Sequence, residues 1–195
     1  MARYVPKDRF YLKAKAQGLR ARSAFKLEEI LQRLALRSLT GATVVDLGAA
    51  PGGWLQVLSK LVGPKGTVVG LDLVDIAPLA PNVRTHALDV RDAAALARIE
   101  LPFGLDLVTS DMAPKTTGIH STDVARSHEL VRMALDFASA RLRPGGAFLT
   151  KVFMGEGIKD LERDMKKAFA EFRHLRPEAT REGSREIYLA AKGKK

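Results

Sequence analysis

The first apolar periodicity in the chain is helical. Phe25, Leu27, Ile30, Leu31 and Leu34 recur near 3.6-residue spacing within 23–36, with Lys26, Glu28, Glu29 and Arg33 on the polar side. Gly41 follows as a stop after a short turn. The residues before this helix contain Gly18 and several basic side chains, and no apolar period specifies their structure. From Thr43 onward the pattern changes to short β-branched runs separated by amphipathic stretches. It predicts strands over 43–47, 67–71, 84–88, 105–110, 147–152 and 186–191, and helices over 54–61, 93–99, 122–142 and 158–172. Gly-Pro-Lys-Gly at 63–66 and Pro-Gly-Gly at 144–146 punctuate them. Alternating strands and helices imply right-handed crossovers and an α/β fold whose mostly parallel sheet is covered on both faces. The last two strands lie close enough in sequence to pair antiparallel at an edge.

Composition narrows the chemistry. The 195 residues include no Cys, which excludes a disulfide scaffold, a Cys-ligated metal centre and thiol catalysis, and suits a reducing cytoplasm. The four His show no metal-ligand spacing, so no metal is assigned. No apolar run approaches the roughly 18–20 residues that span a bilayer, and the charged start lacks the apolar core of a signal peptide. The net charge of +10 is unevenly placed. Residues 1–37 carry 10 basic and 3 acidic side chains, 38–158 carry 11 and 12, and 159–195 carry 11 and 7. A near-neutral body flanked by basic segments suggests a polyanionic partner, with a solvated surface as the plain alternative.

The first strand ends in Asp46-Leu-Gly-Ala-Ala-Pro-Gly-Gly-Trp54. Glycines at 48, 52 and 53 let the backbone turn sharply and approach a ligand. The spacing matches neither a dinucleotide fingerprint nor a P-loop, and Pro51 removes one phosphate-facing N–H. Asp72 ends the second strand, where a carboxylate can accept from both hydroxyls of a ribose. Asp89 follows the third, placed to meet an adenine amino group, and Asp111 follows the fourth. Each carboxylate singly could be an ordinary cap. Together with Asp46 they suit an adenosine-containing ligand that lacks phosphates and carries a positive centre, such as S-adenosyl-L-methionine.

With that turn, the runs Ser110-Asp-Met-Ala-Pro114, Lys151-Val-Phe-Met-Gly-Glu-Gly157 and Ser184-Arg-Glu-Ile-Tyr188 make the sequence resemble the FtsJ/RrmJ family over nearly the whole chain. The resemblance implies a Rossmann-like, class I methyltransferase fold with a mostly parallel seven-stranded sheet. It implies a single globular domain whose basic segment 1–37 carries Lys26 ahead of a methyltransferase domain over 38–195. The implied activity is S-adenosylmethionine-dependent ribose 2′-O-methylation of RNA, and in the bacterial members matching best, of an A-loop uridine in 23S rRNA of the large ribosomal subunit. The family's catalytic Lys-Asp-Lys-Glu tetrad maps to Lys26, Asp111, Lys151 and Glu186. Its cofactor contacts map to Gly52, Trp54, Asp72, Asp89 and Asp111, with Trp54 packing at the helix start.

Two roles for Lys151 stay open at this level. An amine serves as general base only when desolvation or a neighbouring cation disfavours its charge, and Lys26 would act in that direction. Asp111 and Glu186 would favour the ammonium, which would then orient the hydroxyl and stabilise developing oxyanion charge. Plain readings exist for each residue too: Lys26 could pair with Glu28 or Glu29 on its own helix, and Glu186 could guard an edge strand. Lys7, Arg9, Lys13, Lys15, Arg20 and Arg22 are candidates to hold the RNA backbone by charge. The rival functions are 2′-O-methylation of tRNA or an mRNA cap, and a non-catalytic ribosome-assembly factor. No long apolar surface stripe calls for a partner copy, so a monomer is expected.

Overall fold

The protein is described by a computed structural model covering residues 8–36, 38–181 and 183–195; Lys7, one of the RNA candidates, lies outside the described residues. The elements run α1 (Arg9–Ala16), α2 (Ala24–Leu34), β1 (Thr43–Leu47), α3 (Gly53–Val62), β2 (Thr67–Asp72), β3 (Val83–Ala87) and α4 (Ala93–Ala97). They continue β4 (Leu105–Ser110), α5 (His120–Arg141), β5 (Leu142–Phe153), α6 (Ile158–Ala168), β6 (Phe169–Leu175) and β7 (Glu186–Lys194). One seven-stranded sheet has the order β3-β2-β1-β4-β5-β7-β6. The strands from β3 across to β5 pair in parallel, and β7 is antiparallel to both β5 and β6. Strand order reverses between β1 and β4, so a crevice opens at the carboxyl ends of these strands, the place where such sheets bind ligands.

Both faces of the sheet are covered, which explains why the central strands read as continuous apolar runs instead of alternating ones. Val44, Val68, Leu149 and Tyr188 point into one core, shared with Leu27 and Ile30 of α2 and Leu55 and Leu58 of α3. Val45, Leu71, Phe148 and Leu189 point into the other, against Val131 and Leu135 of α5 and Leu161 and Met165 of α6. The Pro-Gly-Gly turn lies inside β5: pairing with β4 jumps from Leu105↔Leu142 to Leu107↔Ala147, and Gly145 takes φ +79 within that bulge.

Two expectations are corrected. The leading segment is not unspecified: α1 forms there, capped by Asp8, whose side chain accepts from Tyr11 N at 3.0 Å. The helix expected over 158–172 stops at Ala168 and the chain enters β6. Phe169 continues the helical period of Ile158, Leu161 and Met165, which is why the pattern overran. The outer edge of β7 offers backbone partners from Phe169↔Lys194 to Leu175↔Tyr188, and that ladder overrides the local period. Phe169 is 1% exposed and stacks on Phe148 at 6.3 Å, anchoring the edge strand to the core. Phe169→Ala is therefore expected to cost about 3–5 kcal/mol. Urea unfolding measures it, and a loss below about 1 kcal/mol would show that β6 is held mainly by its ladder.

Candidate active site

The glycine-rich turn is built by contacts on both sides. Gly48 N donates to Leu71 O at 2.8 Å. With φ +73, a Cβ at Gly48 would stand 2.7 Å from Met112 Cγ and 2.9 Å from Met112 N, so only glycine lets the turn lie against the loop after β4. Asp72 Oδ2 accepts from Ala50 N at 2.9 Å and Oδ1 from Val74 N at 3.2 Å, joining the end of β2 to the same turn. The resulting cleft of about 670 Å³ is lined by Gly48, Ala50, Asp72, Asp89, Asp111 and Met112, among others. Gly52, with φ +103, sits behind the turn against the Arg20 guanidinium. Arg20 donates through Nη1 to Ala77 O at 2.7 Å and Pro51 O at 3.3 Å, and through Nη2 to Pro78 O at 2.7 Å. It thus ties the turn to the segment after β2. Asp89 reaches the cleft in a bidentate pair with Arg91, Nη2 to Oδ2 at 2.6 Å, and that guanidinium holds its carboxyl below the usual range.

The four tetrad positions converge beside this cleft. Lys151 near the end of β5 is 9% exposed; its Nζ donates to Asp111 O at 2.5 Å and lies 3.0 Å from Asp111 Oδ1. Lys26 on α2 is 8% exposed and pairs with Glu186 Oε1 at the start of β7. Each amine therefore has its own carboxylate, and neither Glu28 nor Glu29 takes Lys26. Glu29 instead binds Arg33 at 2.5 Å and accepts from Glu178 N at 2.8 Å. The two pairs are joined by Tyr188, which the motif contained but to which no role was given. Its hydroxyl donates to Asp111 Oδ1 at 3.1 Å, and Lys26 Nζ lies 5.9 Å from its ring centroid. Burial first, and then the Asp111 and Glu186 carboxylates, push the Tyr188 phenol well above its ordinary value. It stays a neutral donor. Trp54 is buried, donates from Nε1 to Ser23 O at 2.9 Å and packs 5.9 Å from Tyr188, so its ring joins α3 to the entrance of α2.

A second support escaped the sequence reading because its two members look like ordinary helix residues. Ser127 and His128 of α5 are 3% and 4% exposed. Ser127 Oγ accepts from Phe153 N at 3.0 Å, and His128 Nε2 lies 3.1 Å from Phe153 O. An imidazole facing a carbonyl must carry its proton on that nitrogen. The pair thus fixes both backbone groups of the residue that ends β5, two positions after Lys151 and directly opposite Glu186. The loop after Pro114 is likewise braced: Asp123 accepts from Thr117 N at 2.7 Å and Gly118 N at 3.2 Å. Among the RNA candidates, Arg9, Lys13 and Lys15 are exposed on α1, with Lys13 Nζ 4.7 Å from the Phe25 ring centroid, while Arg22 donates to Ala179 O at 2.8 Å and pairs with Asp8.

Asp46 lies beneath these groups, fully buried, with Oδ1 accepting from Thr109 Oγ1 at 2.7 Å and Oδ2 lacking a hydrogen-bond partner among the described residues. Burial, then repulsion from Asp111 and Asp72, raises its carboxyl well above the ordinary 3.8, outweighing the Thr109 hydrogen bond and the attraction of Lys151. Between the two values the folded chain holds a proton that the unfolded chain has lost, so stability falls as pH rises through that window. Asp46→Asn removes this term. The stability difference between Asp46→Asn and wild type, followed by urea unfolding, is expected to shift in the mutant's favour as pH rises above about 4. A pH-independent difference would contradict it.

Comparison with known proteins identifies the family and the fold. The FtsJ-like methyltransferase family model matches residues 19–194. The ribosomal RNA large subunit methyltransferase E of Anaeromyxobacter dehalogenans is 54% identical, with 97% of this chain and 72% of that protein covered. The protein of the same name from Myxococcus xanthus is 51% identical, with 95% and 88% covered. A crystal structure from Plasmodium falciparum, described as a candidate ribosomal RNA methyltransferase, superposes with a TM-score of 0.78 at 25% identity, covering 90% of this chain and 98% of that one. A glycine turn against Met112, carboxylates at successive strand ends and two paired lysines beside them thus have a common source: the chain belongs to the FtsJ-like methyltransferase family.

Proposed function

We propose that this methyltransferase uses S-adenosyl-L-methionine to methylate a ribose 2′-hydroxyl in 23S rRNA of the large ribosomal subunit, the A-loop uridine being the nucleotide the family resemblance implies. The observation that carries the reading is the convergence of Lys26, Asp111, Lys151 and Glu186 around Tyr188, at the edge of a cleft of about 670 Å³. The cleft fits the cofactor. Asp72, already oriented by Ala50 N, keeps lone pairs for ribose hydroxyls; Asp89 faces the same cleft; and Gly48 brings the backbone close. Gly52 and Trp54 act behind the turn, through Arg20 and Ser23. When bound, S-adenosylmethionine supplies an electrophilic sulfonium methyl. The protein's own task is to align the ribose oxygen and to stabilise the charge that changes there.

The pairing of Lys151 with Asp111 supports the orienting role over the general-base role. Lys151 Nζ donates to Asp111 O and is ion-paired with Asp111 Oδ1, while Lys26 is engaged by Glu186, so the arrangement gives each lysine an anionic partner of its own. Held this way, Lys151 Nζ keeps a donor for the ribose oxygen and stabilises negative charge growing on it, while the hydroxyl proton leaves to solvent as the methyl is taken up. Tyr188 fixes Asp111, and Lys26–Glu186 fixes the neighbouring wall. The Cys-free sequence is in keeping with a cytoplasmic enzyme.

The test is transfer of labelled methyl to large subunits purified without the endogenous modification, with the product checked for an alkali-resistant linkage. Lys151→Ala is expected to lose at least about a hundredfold in turnover. Lys151→Arg, which keeps the charge and cannot accept a proton, is expected to retain measurable transfer. Loss of all transfer in Lys151→Arg, with cofactor still bound, would favour the general-base role. No label from wild type would redirect the search to tRNA, caps or a structural role.

A further inference from the structure

Asp8 meets three partners from three parts of the chain. Its Oδ1 caps α1 through Tyr11 N, and its Oδ2 takes the Arg22 guanidinium and lies 3.6 Å from Arg181 Nε. Arg22 stands one helical turn before Lys26, and Arg181 belongs to the connection between β6 and β7, which ends at Glu186. The packing around this carboxylate has the same three sources. Ala14 of α1, Phe25 of α2 and Ala179 of the connection form a separate apolar cluster, joined by Phe10 and Leu19. Arg22 Nη2 donates to Ala179 O at 2.8 Å, Glu178 N donates to Glu29 Oε2 at 2.8 Å, and Arg176 Nη2 closes the connection on Ser184 O at 2.8 Å. α1 and the connection are therefore one assembled surface, and Asp8 is the carboxylate at its centre.

The exposed charges of this surface are mostly basic, Glu178 being the exposed acid among the described residues of the connection. Arg9, Lys13 and Lys15 are exposed on α1, and Arg176 and Arg185 are exposed on the connection, Arg185 immediately before Glu186. We propose that α1 and the β6–β7 connection form a single docking surface for the ribose-phosphate backbone of RNA, and that Asp8 is the positioning residue that assembles it. The inference rests on the RNA-directed reading of the site and extends it to Arg176 and Arg185, which local charge in the first 37 residues does not point to. A carboxylate on a surface that meets a polyanion is unfavourable by Coulomb's law alone. Its presence here is explained by the two arginines it orients.

That opposition in sign makes the proposal testable. Asp8→Asn keeps a good N-cap for α1 and deletes the charge that holds Arg22 and Arg181. A surface acting by total charge alone would bind RNA more tightly after this change. A surface assembled by Asp8 binds more weakly: KM for unmodified large subunits is expected to rise about tenfold, and the salt dependence of binding to flatten by the equivalent of about two phosphate contacts. S-adenosylmethionine affinity, read by calorimetry, should stay at the wild-type value and so report an intact fold. Arg185→Gln, which leaves the Asp8 contacts in place, should raise KM in the same direction. A KM for Asp8→Asn equal to or below wild type overturns the proposal, as does a parallel fall in cofactor affinity. An unchanged KM for Arg185→Gln removes the connection from the surface. Failure of wild type itself to methylate subunits would sink the functional reading instead, and filter binding of the same variants to the subunits would still decide the surface.

Discussion

The antiparallel register between β5 and β7 is the constraint on which the site depends. It sets Lys151 opposite Tyr188 and Phe153 opposite Glu186. Side chains alternate along a strand, so a slip of one residue would carry Tyr188 into the opposite core and turn Glu186 away from Lys26. The register is held from several directions. Phe148 and Leu149 of β5 and Leu189 and Ala190 of β7 commit alternate side chains to the two cores. Ser127 and His128 grip both backbone groups of Phe153, and Met154 N donates to Arg185 O just beyond the ladder. β7 is further enclosed by β6 from Tyr188 to Lys194, so most of the strand that carries Glu186 and Tyr188 is interior to the sheet.

Given that register, the electrostatics of the site follow from pairing. Two lysines near one another would each disfavour the other's charge, and burial would add to the effect. The fold answers by giving Lys26 the Glu186 carboxylate and Lys151 the Asp111 carboxylate and carbonyl, with Tyr188 as a neutral donor between them. Tyr188 can play that part because it is buried against Trp54, where an ionised phenolate would be costly. Buried ion pairs of this kind are weak evidence for added stability. Their value lies in holding donors at fixed positions before the substrate arrives.

Much of this was legible in the chain because the residues concerned sit at the ends of strongly apolar runs. Asp72 and Asp111 follow β-branched strands directly, and the glycine turn is unmistakable between Leu47 and Trp54. What escaped depends on partners distant in sequence. Lys26 has two acids on its own helix, and nothing local says that it reaches Glu186 instead. Arg20 reads as a free basic residue until the fold brings Ala77 and Pro78 under its guanidinium. β6 continues a helical period through Phe169, and only the open edge of β7 turns that segment into a strand. Ser127 and His128 carry no motif; their meaning is created by the end of β5.

The distribution of charge separates two tasks that a basic RNA enzyme must reconcile. A field strong enough to attract a polyanion would, if centred on the reacting atoms, hold phosphate where the ribose oxygen must sit. In this chain the central body is close to neutral, and the excess of cations lies in the terminal segments. At the site itself, lysines and carboxylates are matched nearly one for one. Asp46 takes the separation further: it is fully buried, and burial with the nearby Asp111 and Asp72 carboxylates disfavours a further negative charge there, while Oδ1 still accepts from Thr109. On the function proposed above, long-range attraction falls to the basic terminal segments and short-range orientation to groups whose charges cancel, so that one set of residues would draw RNA to the site and another would align it.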